Sequence, residues 1–270
     1  MFPGALAERE DADYALVGAP LDRSTSFRPG ARFGPRRVRH YAQGFDDYDH
    51  DTDRRFTDCA VTDHGDVGPT ADAAEYLQFL EGAVGDYRED GVTPLLVGGE
   101  HTVTVAGVRA VDPDVFVCLD AHLDLRASYA GDELSHATVT HHALDVADRA
   151  VVVGARTGNE GEWERASQAD VTVVEPADVG DWTPAFADES VYLSVDIDAF
   201  DPGFAPGTGT PEPFGLTPRA GRRLVRELAP VAEGFDVVEV NDRDDGQAAT
   251  LAAKLLRRFV YDHAAMRDDE

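Results

Sequence analysis

The chain has 270 residues, enough for one large α/β domain with a sizeable buried core, and no linker-like stretch divides residues 1–270. Its 52 acidic against 24 basic residues give a formal charge of −28, which argues against a phosphate-binding surface and hence against nucleic acid as a partner. Lys254 is the only lysine and aspartate is about twice as frequent as glutamate; this suits a protein folding in concentrated salt, where repulsion is screened, with a merely soluble acidic surface as the alternative.

Cys59 and Cys118 lie far apart without metal-like spacing, so a disulfide framework is not expected. No apolar run approaches the roughly 20 residues that span a bilayer, and residues 1–10 lack a basic leader and apolar signal core. A cytoplasmic location, with no membrane partner, is the expectation.

In chain order, residues 14–17 predict a strand, followed by a Gly/Pro/Arg-rich loop through Pro35 of a length usually given to function or an interface. Arg28, Arg32, Arg36 and Arg37 are expected to pin that loop through carboxylates, with a phosphate cluster as the alternative. Residues 46–53 read as solvated acidic surface. His40, His50 and His64 have no ligand-like partners in sequence. Ala73, Ala74, Leu77, Leu80, Ala83 and Val84 recur at helical spacing and predict an amphipathic helix over 71–87. Residues 92–97 form the next strand, after which Gly98 and Gly99 permit a tight turn and deliver His101 to the start of a helix.

Two stretches carry most of the chemistry. Asp120-Ala121-His122-Leu123-Asp124 follows the apolar residues 115–119, and Ser194-Val195-Asp196-Ile197-Asp198 begins where the apolar residues 191–193 end. Both runs are short and β-branched, as buried strands are. On an extended chain, side chains two apart share a face. Asp120, His122 and Asp124 are therefore expected to point one way as their strand ends, with Asp196 and Asp198 converging from a neighbour. Four carboxylates this close repel one another. Two divalent cations would cancel their charge, and His101 completes a six-ligand set of His101, Asp120, His122, Asp124, Asp196 and Asp198. The reading is a two-metal hydrolytic site in which a shared water is made acidic enough to attack as hydroxide. Hard oxygens with two imidazoles suit manganese, with zinc, cobalt or iron as alternatives.

Further along, Ser135 precedes His136, whose imidazole is expected to titrate near neutrality; a histidine in a capped helix start is the plainer alternative. His141 and His142 are expected at the surface. Strands at 151–153 and 171–174 around a helix at 160–169 give the βαβ rhythm of a parallel sheet. The turn-rich stretch 199–211 should form a pocket rim, with Asp201 orienting a ligand rather than binding metal. Thr217 and Pro218 form a helix start, running to about Leu228. The last strand, 235–238, runs into Glu239-Val240-Asn241. A closing helix over 248–261 buries Ala252, Leu255, Leu256, Phe259 and Val260, read as core rather than oligomer contact.

Gly98-Gly99-Glu100-His101, Asp120-Ala121-His122-x-Asp124 and Ser194-x-Asp196-x-Asp198-x-x-Asp201-Pro202, in that order, resemble the metal-binding signatures of the ureohydrolase family, the arginases and agmatinases. The similarity runs from about residue 16 to 256 and is greatest to agmatinases, because residues 18–22 and 26–35 resemble their N-terminal segment. The resemblance implies a three-layer αβα fold with a mainly parallel sheet of about eight strands, two Mn2+ per subunit, and a homotrimer or hexamer. It implies urea release from a small cationic guanidino substrate by hydroxide attack on the guanidinium carbon. By the same resemblance His136 is a proton shuttle, Asp124 also orients the nucleophile, and Thr210 and Glu239 hold the guanidinium. Phe214 and Asp242 depart from the family pattern of glycine and proline. The loop 125–134 has no asparagine of the kind arginases use, but offers Asp132 and Glu133. In a strongly negative protein these favour the dication agmatine, cleaved to putrescine and urea. Guanidinobutyrate paired with Arg126, arginine, or a longer aminoalkyl guanidine are the alternatives. Two readings of other classes stand beside these: a catalytically silent metal-binding homologue, and a metal-dependent deacetylase of similar architecture, which should lack Glu239 and the paired Asp196 and Asp198.

Overall fold

The computed structural model describes residues 1–186 and 189–267. Its first strands are β1 (Tyr14–Ala19), the two-residue pair β2 (Tyr48–Asp49) and β3 (Arg54–Arg55), β4 (Val61–Asp66) and β5 (Thr93–Gly98). They are followed by β6 (Val115–Leu119), β7 (Arg149–Val153), β8 (Val171–Val174), β9 (Val191–Asp196) and β10 (Ala232–Val238). The helices are α1 (Gly34–Tyr41), α2 (Ala73–Glu89), α3 (Thr104–Val111), α4 (Val139–Ala143), α5 (Glu160–Ala166), α6 (Pro218–Leu228) and α7 (Gln247–Arg267).

Eight strands form one sheet in the order β4-β1-β5-β10-β9-β6-β7-β8, and every pairing in it is parallel. Strand residues alternate between two cores, as a pleat requires. Leu16, Leu95, Val117 and Phe235 join α6 and α7 on one face, while Val17, Leu96, Phe116 and Cys118 join α2 and α3 on the other. The result is the expected αβα sandwich. The α7 stripe from Ala252 to Val260 is fully buried in it.

Several expectations change in detail. The loop after β1 stops short of Pro35, because Gly34-Pro35 opens α1 with proline in the first helical turn, where its missing N–H costs nothing. Arg32 and Arg37 do pin this region, to Asp22 at 2.7 Å and Asp244 at 2.9 Å, while the Arg28 guanidinium lies over the Phe27 ring. Residues 46–53 are more than solvated surface: Asp49 accepts from the buried Arg258 at 3.0 Å, and the Asp47 carbonyl accepts from Arg257 and Tyr261. His141 and His142 are half-buried rather than at the surface. Strand β4, whose Thr62, His64 and Asp66 interrupt any apolar run, has no counterpart among the predicted elements. Among the described residues no helix is long and apolar enough to cross a membrane.

Candidate metal centre and active-site cavity

The candidate ligands collect at the carboxyl ends of the four central strands, where parallel sheets place their sites. His101 follows β5, Asp120 follows β6, Asp196 ends β9 and Glu239 follows β10. Gly98 and Gly99 contribute by allowing close approach, since neither has a positive φ. A Cβ on Gly98 would lie 2.6 Å from Val238, and one on Gly99 would collide with the Leu21 carbonyl.

The ligands converge, but not by strand alternation. Strand β6 ends at Leu119, and Asp124 has a left-handed φ of 51°. The Asp120 side chain caps the turn by accepting the His122 N–H at 2.6 Å. Asp196 does the same for a 3-10 turn over Ile197–Ala199, accepting the Asp198 N–H at 2.8 Å. Asp198 in turn accepts the Ala121 N–H at 3.2 Å, tying the two motifs together. Carboxylate-capped turns therefore aim these side chains.

The Nδ1 of His101 lies 2.9 Å from Asp124, 3.2 Å from Asp120 and 3.5 Å from Asp196, and the Nδ1 of His122 lies 3.0 Å from Asp198. His101 Nδ1 is buried and makes no hydrogen bond. Its orientation is set from behind: Nε2 faces Ser194 Oγ at 3.2 Å, and Ser194 gives its proton to the buried Asp236 at 2.6 Å. Nε2 must then carry the hydrogen, leaving the Nδ1 lone pair directed into the carboxylates. A lone pair without a donor, amid hard oxygens, fits a divalent cation. Asp120, His122 and Asp198 likewise bring three ligand atoms within 4.8 Å of one another. Cys118, absent from the predicted set, faces both His101 Nε2 and Asp120 at 3.7 Å. Burial pushes its thiol well up, so it stays neutral.

Without cations the cluster is strained electrostatically. Burial, then the Asp120 charge, pushes Asp124 up to about 7; burial, then Asp198 and Asp120, pushes Asp196 well up. Burial also raises Asp120, but the neighbouring imidazoles of His101 and His122 prevail and hold it below its usual value. Burial opposes charge on both imidazoles, yet neighbouring carboxylates raise both above the ordinary histidine value.

Above the cluster lies a cavity of about 340 Å³ lined by Ser26, His122, Asp124, Arg126, Tyr129, His136, Asn159, Glu162 and Thr210 among others. A larger one, about 760 Å³, lies between α7 and the Asp46–Asp49 region; none of the predicted ligands reaches it. Thr210 lines the smaller cavity and donates to Asp198 at 3.0 Å. Glu239 sits beneath it, in a left-handed backbone conformation, accepting the His101 N–H at 2.8 Å; burial first of all pushes it up to about 8. His136 is largely enclosed, and burial, followed by the charges on His122 and His101, pushes it down to about 4 rather than leaving it near neutrality.

Two expectations about the rim change. Asp201 holds the loop rather than a ligand, its carboxylate accepting the N–H groups of Gly203 and Phe214 at 2.8 Å. Phe214, at φ 68° and almost fully exposed, takes the backbone conformation that glycine adopts most readily. Asp132 and Glu133 do not line the cavity: Asp132 accepts the Leu134 N–H and the Glu133 carbonyl accepts from Thr138. Glu162 does line it, bound to Arg126 at 2.9 Å and capping α5 through Asn159. Arg156 is a further functional residue at the rim. Its guanidinium donates to the carbonyls of Asp198, Ala199, Glu212 and Pro213 and so fastens the rim; an isolated arginine after a strand carries no sequence signal for that.

A sequence model described as the Arginase family matches residues 12–261. An agmatinase from Pyrococcus horikoshii is 35% identical over 261 residues, covering 92% of this chain and 90% of that protein. An N(1)-aminopropylagmatine ureohydrolase from Thermococcus kodakarensis is 36% identical over 272 residues, covering 94% and 91%. The crystal structure of the agmatine ureohydrolase of Thermoplasma volcanium superposes with a TM-score of 0.93 at 32% identity, covering 100% of this chain and 96% of that one.

Proposed function

The chain belongs to the arginase family as an agmatinase-like ureohydrolase, and from that premise we propose that it hydrolyses agmatine to putrescine and urea in a single catalytic domain with two Mn2+ per subunit. The observation that carries the metal assignment is the buried, donorless Nδ1 of His101 among carboxylates. His101, Asp120, His122, Asp124, Asp196 and Asp198 would hold the ions, which when bound make a water acidic enough to add to the guanidinium carbon near neutral pH. Asp124 orients that water, while Thr210 and Glu239 hold the guanidinium. His136 is neutral at rest, so its Nε2 first accepts a proton and then delivers it to the departing amine. One water adds, one C–N bond breaks, and urea and a primary amine leave.

Two features support an amine at the far end of the substrate. The net charge of −28 draws dications, and Arg126, the residue available to a substrate carboxylate, is already bound by Glu162. The relatives' names span agmatine and a longer aminopropyl derivative and also include a guanidinobutyrase. Urea release should therefore be measured in parallel with agmatine, N(1)-aminopropylagmatine, arginine and guanidinobutyrate at matched salt, manganese and pH. Agmatine is expected to give the highest kcat/KM. A higher value for either carboxylate-bearing substrate would overturn the substrate and leave the reaction class intact, and no urea from any of them would leave a silent homologue.

The same charge supports a cytoplasmic, salt-requiring protein. Lowering salt from molar to about 0.1 M removes screening and is expected to unfold or inactivate it; full stability in dilute buffer would refute this. By resemblance the assembly is a homotrimer or hexamer, for which light scattering at high salt is the check.

A further inference from the structure

The shuttle assigned to His136 depends on which ring nitrogen carries the hydrogen, and the N-terminal loop bears on that choice. Ser24 Oγ lies 3.0 Å from His136 Nδ1 and accepts the His136 backbone N–H at 2.9 Å. The same Oγ lies 3.0 Å from Glu100 Oε1. Glu100 is buried, and its carboxylate also gathers the N–H of Arg23, the N–H of Ser24 at 2.7 Å and the Thr102 hydroxyl at 2.8 Å.

The loop is also fastened beside this carboxylate through backbone groups and through Asp22. Gly99 and Glu100 donate their N–H groups to the carbonyls of Ala19 and Leu21. Asp22 folds the segment on itself by accepting from Thr25, from the Gly30 N–H and from Arg32. Ser24 is thereby held between Glu100 and His136 with little freedom.

A hydroxyl has one hydrogen to give. A carboxylate accepts it more strongly than a neutral imidazole does, so Ser24 donates to Glu100 and can only accept from His136. The contact to Nδ1 then requires the hydrogen on Nδ1. Ser135 Oγ, 3.3 Å from Nδ1, is the competing donor, but it is the longer contact. Ser26 Oγ, 3.3 Å from Nε2, is placed to donate to that nitrogen.

We propose that Ser24, oriented by Glu100, is a positioning residue that holds neutral His136 as its Nδ1–H tautomer and so keeps the Nε2 lone pair facing the cavity. Its catalytic meaning rests on the ureohydrolase reading; the tautomer does not. In the other tautomer Nε2 would already bear a hydrogen and could not take the proton that the reaction must pass on.

The test reads the tautomer directly. In zinc-loaded protein labelled with 15N-histidine, at pH 7.5, long-range proton–nitrogen correlation separates protonated from bare ring nitrogens, and His136→Asn assigns the signal. His136 should show a protonated Nδ1 and a bare Nε2. Glu100→Gln, whose amide would donate to Ser24, should release the Ser24 hydrogen toward Nδ1 and move the ring proton to Nε2. Ser24→Ala should keep two metals and KM but lose kcat by roughly ten- to a hundredfold, as misorientation does, and Ser24→Thr should restore it. An Nε2–H tautomer in the native protein overturns the proposal, as does Ser24→Ala with native tautomer and native kcat. If no guanidino compound releases urea while the tautomer is as stated, the functional reading fails and the positioning stands.

Discussion

Along α7, Arg258 reaches Asp49 at 3.0 Å and Asp262 at 2.5 Å, while at the ends of β6 and β9 the described partners of Asp120, Asp124, Asp196 and Asp198 are imidazoles, backbone N–H groups, one hydroxyl and the Cys118 thiol. Both clusters are acidic and much of each is buried. In the first, permanent guanidinium charge sits among the carboxylates: burial raises Asp49, but the Thr52 hydroxyl and Arg258 prevail and hold it below its usual value, while at Asp262 burial outweighs the same arginine. In the second the groups are left competing for protons, with Asp124 pushed up to about 7 and Asp196 well above its normal range. Arginine cannot give up its proton and cannot leave. Imidazole can exchange a proton for a metal ion. A buried acidic cluster built with histidine in place of arginine is therefore one that takes an exchangeable cation.

The sharpest way to break this contrast is to remove a ligand. Manganese-supplied protein should contain about two ions per chain, and Asp198→Ala should lose one of them with activity falling to background; one tight ion with full activity would end the two-metal reading. Next in size is His136→Asn, which borders the cluster without contacting its carboxylates. It should keep both ions and lose about two to four orders of magnitude in kcat, the range of general acid–base catalysis. Loss of metal instead would make His136 a ligand.

At the arginine cluster the expected loss is of stability, not of metal. Arg258→Ala leaves Asp262 and Asp49 without their counter-charge, and breaking a buried pair from one side costs about 3 kcal/mol or more. Urea unfolding at saturating metal and fixed salt measures this. Arg258→Met with Asp262→Leu should recover part of the loss, since that apolar pair needs no desolvated charge while Asp49 still lacks its counter-charge. If the double variant stays as unstable as the single one, the arginine is needed for more than neutralisation.

The six cluster residues and the alternation of elements were legible because each ligand motif abuts an apolar β-branched run that marks a strand end. What aims them was not. Asp124 at positive φ and the carboxylate caps of Asp120 and Asp196 are choices among turn conformations, which a two-residue periodicity cannot express. The arginines of α7 escaped for a related reason: Asp49 and Arg258 are 209 positions apart, and acidic residues are so numerous that none announces its partner. Glu162 shows the same limit at the cavity. It stands 36 residues beyond Arg126 and reads as an ordinary helix-start glutamate, while the nearer Asp132 and Glu133 turn out to serve the loop. Phe214 at φ 68° is where the residue type misleads, because the turn is set by Asp201 accepting its N–H rather than by glycine.

The smallest effect distinguishes the two clusters by the linkage of their protons to metal. In the metal-free protein Asp124 holds a proton to about pH 7 and Glu239 to about pH 8, whereas in the unfolded chain such groups ionise near 4. The folded state therefore binds more protons over that interval. This contribution to stability is full below about pH 4 and is lost as pH rises through 7 to 8. His101 and His122, also raised, act in the same direction. Beside Arg258, Asp49 is lowered and acts in the opposite direction at acid pH, while Asp262 is raised by burial and acts in the same one. His136 and His263, both pushed down to about 4 by burial first of all, cost stability at low pH and make it rise with pH between about 4 and 6.5, below the interval of the metal-linked change. Metal bound at the cluster must displace its protons. Calorimetric titration of manganese into chelator-stripped protein, in buffers of different ionisation enthalpy, should therefore show proton release that is largest near pH 6 and declines toward pH 9. The Tm gap between loaded and stripped protein should widen over the same range. Asp124→Asn should lower the release at pH 6 by up to one proton and flatten the decline, and Arg258→Ala should leave both unchanged. A release independent of pH from 6 to 9 would mean that the carboxylates are already ionised without metal, and the contrast between the clusters would then reduce to geometry.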